Sequence, residues 1–171
     1  NDGDLDVYVG NYGGDALYQN DGSGSFTNIT KAAGITNDKW TSSIAFLDYD
    51  ADGLLDIFVV NYVVFDAKRR CENPKSGRDY CGPQMFKGEP DVLYRNKGGG
   101  VFEDVSKKLG ISSEASNGLG LVVEDFNDDG WLDVFVANDA EANHLWMNTR
   151  EGGFREEALS LGVAVNGVGV T

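Results

Sequence analysis

The chain has 171 residues, with 28 Asp and Glu against 14 Lys and Arg and a formal net charge of −14. An acidity of this size excludes nucleic-acid binding through a basic face, while 41% hydrophobic residues are enough for an ordinary core. The 23 Gly and 3 Pro argue against a helical bundle and a collagen-like chain, no apolar run is long enough to span a bilayer as a helix, and Asn1–Asp4 does not read as a leader.

In chain order, Asp2-Gly3-Asp4-Leu5-Asp6 leads into a strand predicted at Val7-Tyr8-Val9. A second strand is expected at Leu17-Tyr18-Gln19-Asn20, then a turn at Asp21-Gly22-Ser23-Gly24, a short strand from Phe26, and Gly34-Ile35. Ser42-Ser43-Ile44-Ala45-Phe46 then enters Asp48-Tyr49-Asp50-Ala51-Asp52-Gly53-Leu54-Leu55-Asp56, which runs into Ile57-Phe58-Val59-Val60-Asn61. The same order recurs with Leu93-Tyr94-Arg95-Asn96, Lys97-Gly98-Gly99-Gly100, Phe102 and Gly110-Ile111. Gly118-Leu119-Gly120-Leu121-Val122 enters the third acidic segment, Asp125-Phe126-Asn127-Asp128-Asp129-Gly130-Trp131-Leu132-Asp133, followed by Val134-Phe135-Val136-Ala137-Asn138. Leu145-Trp146-Met147-Asn148, Glu151-Gly152-Gly153, Phe154 and Gly162-Val163 complete the series, and Gly167–Thr171 repeats the segment that precedes an acidic loop.

The acidic segments share the form D-x-[DN]-x-D-G-x-x-D. Side-chain oxygens at positions 1, 3, 5 and 9 and a carbonyl at position 7 can wrap a hard cation, and Gly at position 6 allows the sharp turn. The candidate ligands are Asp48, Asp50, Asp52, Leu54 and Asp56 in one copy and Asp125, Asn127, Asp129, Trp131 and Asp133 in another, with Asp2, Asp4 and Asp6 from the shortened first copy. Carboxylates gathered this closely repel one another by several kcal/mol at intermediate dielectric. An Asp- and Gly-rich turn stabilised by Asx geometry accounts for one such copy but poorly for three. The oxygen-rich set favours Ca2+ over magnesium, and the absence of nearby Cys or His argues against zinc. Position 12 is Val59 or Val136 rather than Glu, and strand follows instead of helix, so the loops are not EF-hands and each joins two strands.

The spacing from Gly3 to Gly53 is 50 residues and from Gly53 to Gly130 is 77, the second enlarged by an insertion of about Val63–Pro90. Four short strands per repeat predict an all-β fold of four-stranded antiparallel β-propeller blades, with repeats over about 1–47, 48–124 and 125–171. Three blades do not close a ring, which implies part of a larger propeller.

The acidic loops with the Leu-Tyr-x-Asn…Phe pattern resemble FG-GAP (VCBS-type) repeats, the units of integrin α-subunit propellers. The stretch from Gly118 to Asp139 with Asn143-His144-Leu145, and Tyr80-Cys81-Gly82-Pro83 in the insertion, is similar to the cartilage acidic protein family and its bacterial ASPIC/UnbV-associated members. The resemblance implies a calcium-binding propeller, secreted, periplasmic or on the cell surface, without established catalysis; no ASPIC/UnbV segment is seen.

Cys71 and Cys81 both fall in the insertion and read as a local disulfide in an oxidising compartment, with a metal pair or two reduced thiols as the alternatives. The insertion also holds Lys68, Arg69, Arg70, Lys75, Arg78 and Lys87, which form either a docking patch for an anionic partner or a solvated loop. His144 has no evident catalytic partner, the Gly-rich turn after Lys97 is a hairpin rather than a phosphate loop, and Asn28-Ile29-Thr30 fits a glycosylation acceptor. Tyr18, Phe26, Tyr94, Phe102, Trp146 and Phe154 recur once per repeat and read as core. The expected function is non-enzymatic recognition or adhesion, with a protein or glycan ligand or the subunits of a larger assembly as partner. Its alternatives are a calcium-dependent polysaccharide lyase or glycosidase drawing on Glu72, Glu89, Glu124 or Asp139, and an accessory subunit of an envelope complex.

Overall fold

The computed structural model describes residues 3–167 and residue 169. Its strands form three antiparallel sheets in sequence order. The first comprises β1 (Val7–Val9), β2 (Ala16–Asn20) and β3 (Phe26–Asn28). The second comprises β4 (Thr41–Leu47), β5 (Asp56–Asn61), β8 (Val92–Asn96) and β9 (Phe102–Asp104). The third comprises β10 (Gly118–Glu124), β11 (Asp133–Asn138), β12 (His144–Asn148) and β13 (Phe154–Glu156). The second and third are the expected four-stranded propeller blades, and the first has three of the four strands among the described residues. A separate hairpin, β6 (Cys71–Asn73) and β7 (Gly77–Asp79), belongs to the insertion, and one turn of helix, α1 (Ser106–Leu109), follows β9.

The β5 strand shows why the blades stack. All six of its residues are buried, and alternate side chains point to opposite faces of a strand. Ile57 and Val59 pack with Leu17, Ala33 and Ile35 of the first blade, whereas Phe58 and Val60 pack with Val134, Val136 and Trp146 of the third. A continuous run of β-branched and aromatic residues is what a strand covered on both faces requires. On β1 the residues equivalent to Ile57 and Val59 are Val7 and Val9, and these are exposed.

Core expectations for the recurring aromatics hold at Tyr94, Trp146 and Phe154, which are buried. Tyr18 and Phe102 are half-buried, and Phe26, on the edge strand of the first blade, is 49% exposed. Phe102 and Phe154 stand at the same place on the last strands of their blades but pack against the blade before, Phe102 with the Leu17 and Ala33 cluster and Phe154 with the Tyr49 and Leu93 cluster, and among the described residues Phe26 has no such neighbour.

The insertion leaves β5 and returns to β8 as a closed excursion. Val63 bridges Gly88, and Val64 N–H donates to Lys87 O at 2.8 Å. Inside it the disulfide Cys71–Cys81 is formed, with the two Cα atoms 5.2 Å apart. The metal-pair and free-thiol alternatives for these cysteines are therefore set aside.

Candidate functional site

Each complete acidic loop connects the first two strands of a blade. The ladders end at Leu47 opposite Asp56 and at Glu124 opposite Asp133, so residues 48–55 and 125–132 form the hairpin connections. The turn needs left-handed backbone at two places. Gly53 and Gly130 have φ of 84° and 86°, as expected for position 6. Position 4 is left-handed as well, at Ala51 and Asp128, each with φ 56°, a feature that no glycine marks in the sequence.

Position 1 organises the turn. Asp48 accepts from Asp52 N–H at 3.1 Å and Gly53 N–H at 3.0 Å; Asp125 accepts from Asp129 N–H at 2.9 Å and Gly130 N–H at 2.6 Å. Position 5 accepts from the amide two residues on, Asp52 from Leu54 and Asp129 from Trp131. Position 9 is a structural clamp. Asp56 takes Tyr49 N–H on one oxygen and Asn96 N–H on the other, and Asp133 does the same with Phe126 and Asn148. Both carboxyls are fully buried. Burial pushes Asp56 up to about 6 against the pull of those two amides, and moves Asp133 in the same direction. In the first copy, Asp6 accepts from Asn20 N–H in the same way, Gly3 is left-handed, and Asp4 lines a groove between the first two blades. Asp2 lies outside the described residues.

The side-chain oxygens of Asp48, Asp50 and Asp56 converge to within 4.8 Å of one another. Among the described residues no other trio of acidic, His or Cys side chains comes this close. Asn127 supplies a neutral oxygen at the equivalent of Asp50, which lowers the charge of the candidate ligand set in the third loop, although Asp128 at position 4 keeps the loop's own charge the same. Within the second loop, Asp50 Oδ1 is buried with no hydrogen-bond partner. Burial pushes the Asp50 carboxyl up, and Arg95 opposes this. A converging set of hard oxygen donors with one buried and unsatisfied oxygen fits a hard divalent cation.

The loops also contain cations of their own, which the motif alone does not reveal. Arg95 Nη2 lies 2.6 Å from Asp50 and 3.2 Å from Asp52, and Arg150 Nη2 lies 2.8 Å from Asp129. Asp52 is held below the usual carboxylate range, first by the Leu54 amide and then by Arg95. Asp129 is also lowered: burial works against this, but Arg150 and the Trp131 amide outweigh it. The repulsion expected from the bare motif is thus partly neutralised by the chain itself. Arg95 occupies the variable position of Leu-Tyr-x-Asn, held by Gln19 and Met147 in the other repeats, so its role was not visible as part of a pattern.

The Asn of that pattern was visible, but its purpose emerges only here. Asn20, Asn96 and Asn148 each donate a side-chain N–H to the carbonyl before the position-9 Asp, on Leu5, Leu55 and Leu132. Asn148 also reaches Tyr49 O, in the neighbouring blade, at 2.8 Å. A second repeated clamp lies two residues before each Leu. Asp15, Asp91 and Asn143 accept from the N–H of Asn11, Asn61 and Asn138, closing the other end of the strand pair. The recurrence of an Asp or Asn before Leu was the available signal for it.

Of the residues named as a basic patch, Arg69, Arg70 and Arg78 line one cleft of 510 Å3 in the insertion, whereas Lys68 and Lys75 lie outside its lining. His144 is less isolated than its sequence context implies. Its Nδ1 is 3.5 Å from Ser116 Oγ and its ring meets Trp146 edge-on at 5.3 Å. Burial pushes its pKa down, although Glu156, Glu114 and Glu141 oppose this.

The family model for the FG-GAP-like repeat matches residues 1–59, 85–136 and 125–171, leaving out most of the insertion. Cartilage acidic protein 1 of Xenopus tropicalis is 31% identical over 64 residues, which is 37% of this chain and 10% of that protein. The proteins of the same name from Mus musculus and Homo sapiens are each 31% identical over 58 residues, 34% of this chain and 9% of theirs. The matched stretch therefore spans about a tenth of the length of these relatives.

Proposed function

The chain belongs to the FG-GAP-like repeat family, and on that premise we propose that it is a calcium-binding, non-catalytic propeller module presenting loops for protein or glycan recognition outside the cytoplasm. The observations that carry the calcium reading are the convergence of Asp48, Asp50 and Asp56 to within 4.8 Å and the buried, unpartnered Oδ1 of Asp50. Calcium there would be held by Asp48, Asp50, Asp52 and Asp56, and at the third loop by Asp125, Asn127, Asp129 and Asp133. Its contribution would be charge neutralisation and a rigid hairpin rather than chemistry on a substrate. The formed disulfide supports an oxidising compartment. No helix among the described residues is long and apolar enough to cross a membrane.

The test is thermal unfolding with chelator and with calcium restored. A cation that binds only the folded state at a hundred times its Kd adds about 2.7 kcal/mol, a rise of roughly 5–10 °C at this chain length. Equal melting temperatures under both conditions would sink the calcium reading, as would an Asp50→Ala variant that keeps the full response. Turnover of acidic or neutral polysaccharides by the calcium-loaded protein would replace the recognition reading with a lyase or glycosidase.

A further inference from the structure

The insertion between β5 and β8 reverses the electrostatics of the chain. Residues 63–90 carry six basic side chains against four acidic ones, while the rest carries eight against twenty-four. Local net charge is therefore +2 inside the excursion and −16 outside it. Arg69, Arg70 and Arg78 converge on its 510 Å3 cleft together with Phe65, Tyr80 and Phe86.

None of the three guanidiniums is in an ion pair among the described residues. Arg70 Nη1 donates only to backbone carbonyls, Ala67 O at 3.2 Å and Arg69 O at 3.4 Å. Arg69 lies 5.8 Å from the Phe86 ring centre. The two acids in the lining are engaged by neutral donors of the loop instead. Asp66 accepts from Lys68 N–H, and Asp79 accepts from Tyr80 N–H and Asn73 Nδ2. Three unpaired cations lining one cleft suit it to an anion supplied from outside.

The walls are fixed before any ligand arrives. Phe65 packs on Phe86 at 5.4 Å and on Trp40 at 5.5 Å, anchoring one side to the blades. The disulfide Cys71–Cys81 pins the other. Tyr80 stands 96% exposed at the rim, an aromatic face with nothing packed on it. Preorganisation of this kind lowers the entropic cost of binding.

We propose that this cleft binds an acidic saccharide. A sugar ring offers a flat C–H face to the exposed aromatic rings, and a carboxylate or sulfate held rigidly beside that face meets the guanidinium forks. A flexible acidic peptide would lose more conformational freedom for the same ionic contacts. The proposal rests on the recognition reading above and specifies its ligand.

The experiment is titration of the calcium-loaded full-length protein with a heparin-derived tetrasaccharide and with tetragalacturonate. Neutral maltotetraose and a glutamate tetrapeptide serve as comparisons. One acidic saccharide should bind with a Kd of about 10 μM to 1 mM, at least about tenfold tighter than either comparison ligand. Binding should weaken on raising the salt to about 1 M, where the screening length falls to about 3 Å. Arg69→Ala and Arg78→Ala, both on the surface, should each cost about tenfold, the loss of one charge-assisted contact. Tyr80→Ala should weaken binding with the salt dependence kept. Absence of binding by both acidic saccharides at about 5 mM, tighter binding of the glutamate peptide, or unchanged affinity in Arg78→Ala overturns the proposal. A protein that melts higher with calcium but ignores both saccharides refutes the cleft alone. A protein that binds saccharide without responding to calcium refutes the calcium reading alone.

Discussion

The contact between the second and third blades depends on the absence of a side chain at position 118. A Cβ built on Gly118 would stand 2.3 Å from Val60 Cγ1 and 2.9 Å from Asn61 O, closer than real methyl contacts allow. Ser42 Oγ donates to Gly118 O at 2.8 Å across the same junction, so the strand has little freedom to retreat. Two positions along, a Cβ on Gly120 would meet nothing within 4 Å. Neither glycine has positive φ, so Gly→Ala at both reduces unfolded-state entropy equally, stabilising by about 0.4–1 kcal/mol. Overpacking at Gly118 should reverse this with a cost of about 1–3 kcal/mol.

The expected result is that Gly120→Ala melts at or slightly above the parent, whereas Gly118→Ala, with a net loss of up to about 2.6 kcal/mol, melts up to roughly 10 °C below it, at about 2–4 °C per kcal/mol for a chain of this size. Val60→Ala removes the Cγ1 that the new methyl would strike and by itself costs about 1–3 kcal/mol through lost burial and cavity. Combined with Gly118→Ala, it should show a favourable coupling of about 1 kcal/mol or more, since each change relieves the other. The relief is partial because Asn61 O remains. Urea unfolding followed by tryptophan fluorescence measures the parent and all four variants. Equal stabilities for Gly118→Ala and Gly120→Ala, or strict additivity in the double variant, would refute the steric argument. The first junction has the sizes exchanged: Gly10, the equivalent of Val60, faces Thr41, the equivalent of Gly118, and a Cβ on Gly10 would stand 2.5 Å from Thr41 Cγ2.

Burial pushes Asp91 up to about 7, although Asn61 N–H and Lys39 oppose this. From about pH 4 to 7 the unfolded chain releases this proton and the folded chain retains it, so the group's contribution to stability declines as pH rises, by up to about 4 kcal/mol. Asp91→Asn should flatten that decline in a series of urea titrations across the window, and an unchanged slope would contradict the assignment. Arg95→Gln removes the guanidinium that neutralises Asp50 and Asp52. It should lower the melting temperature in chelator and enlarge the rise on adding calcium; a smaller rise would show that Arg95 does not compete with the ion. Reducing Cys71–Cys81 releases a loop whose closure is worth about 3 kcal/mol on the chain-entropy model. Because this disulfide lies outside the blade sheets, proteolytic nicking within residues 66–80 should accelerate while the main melting transition moves little, and a large fall in that transition would show that the insertion supports the blades.

The local features could be read from the sequence because they are written in short spacings. A glycine at position 6, an Asp or Asn at alternate loop positions and a continuous apolar run after the loop are each set by neighbours within one turn or one strand. This identified the acidic hairpins, the Lys97–Gly100 turn, which closes by Lys97 N–H to Val101 O at 2.8 Å, and the strand that follows each loop. The same reasoning failed for Phe26, because a repeat pattern assigns one environment to a position whose burial depends on the blade packed before it, as Phe102 and Phe154 show. It missed Arg95 and Arg150, which meet the loops by reaching across strands and are not at matching positions in the repeat.

The sequence by itself determined the repeat, the strand and loop succession, the candidate cation ligands and the local cysteine pair, since each depends on backbone geometry and on residues close along the chain. Tertiary structure alone decided which side chains meet between blades. The exchange of sizes between Gly10–Thr41 and Val60–Gly118, the guanidiniums laid on the acidic loops, and the gathering of Arg69, Arg70 and Arg78 with Phe65 and Phe86 all depend on long-range packing. No period in the chain encodes such contacts, because close packing fixes them by volume and charge only after the blades have stacked.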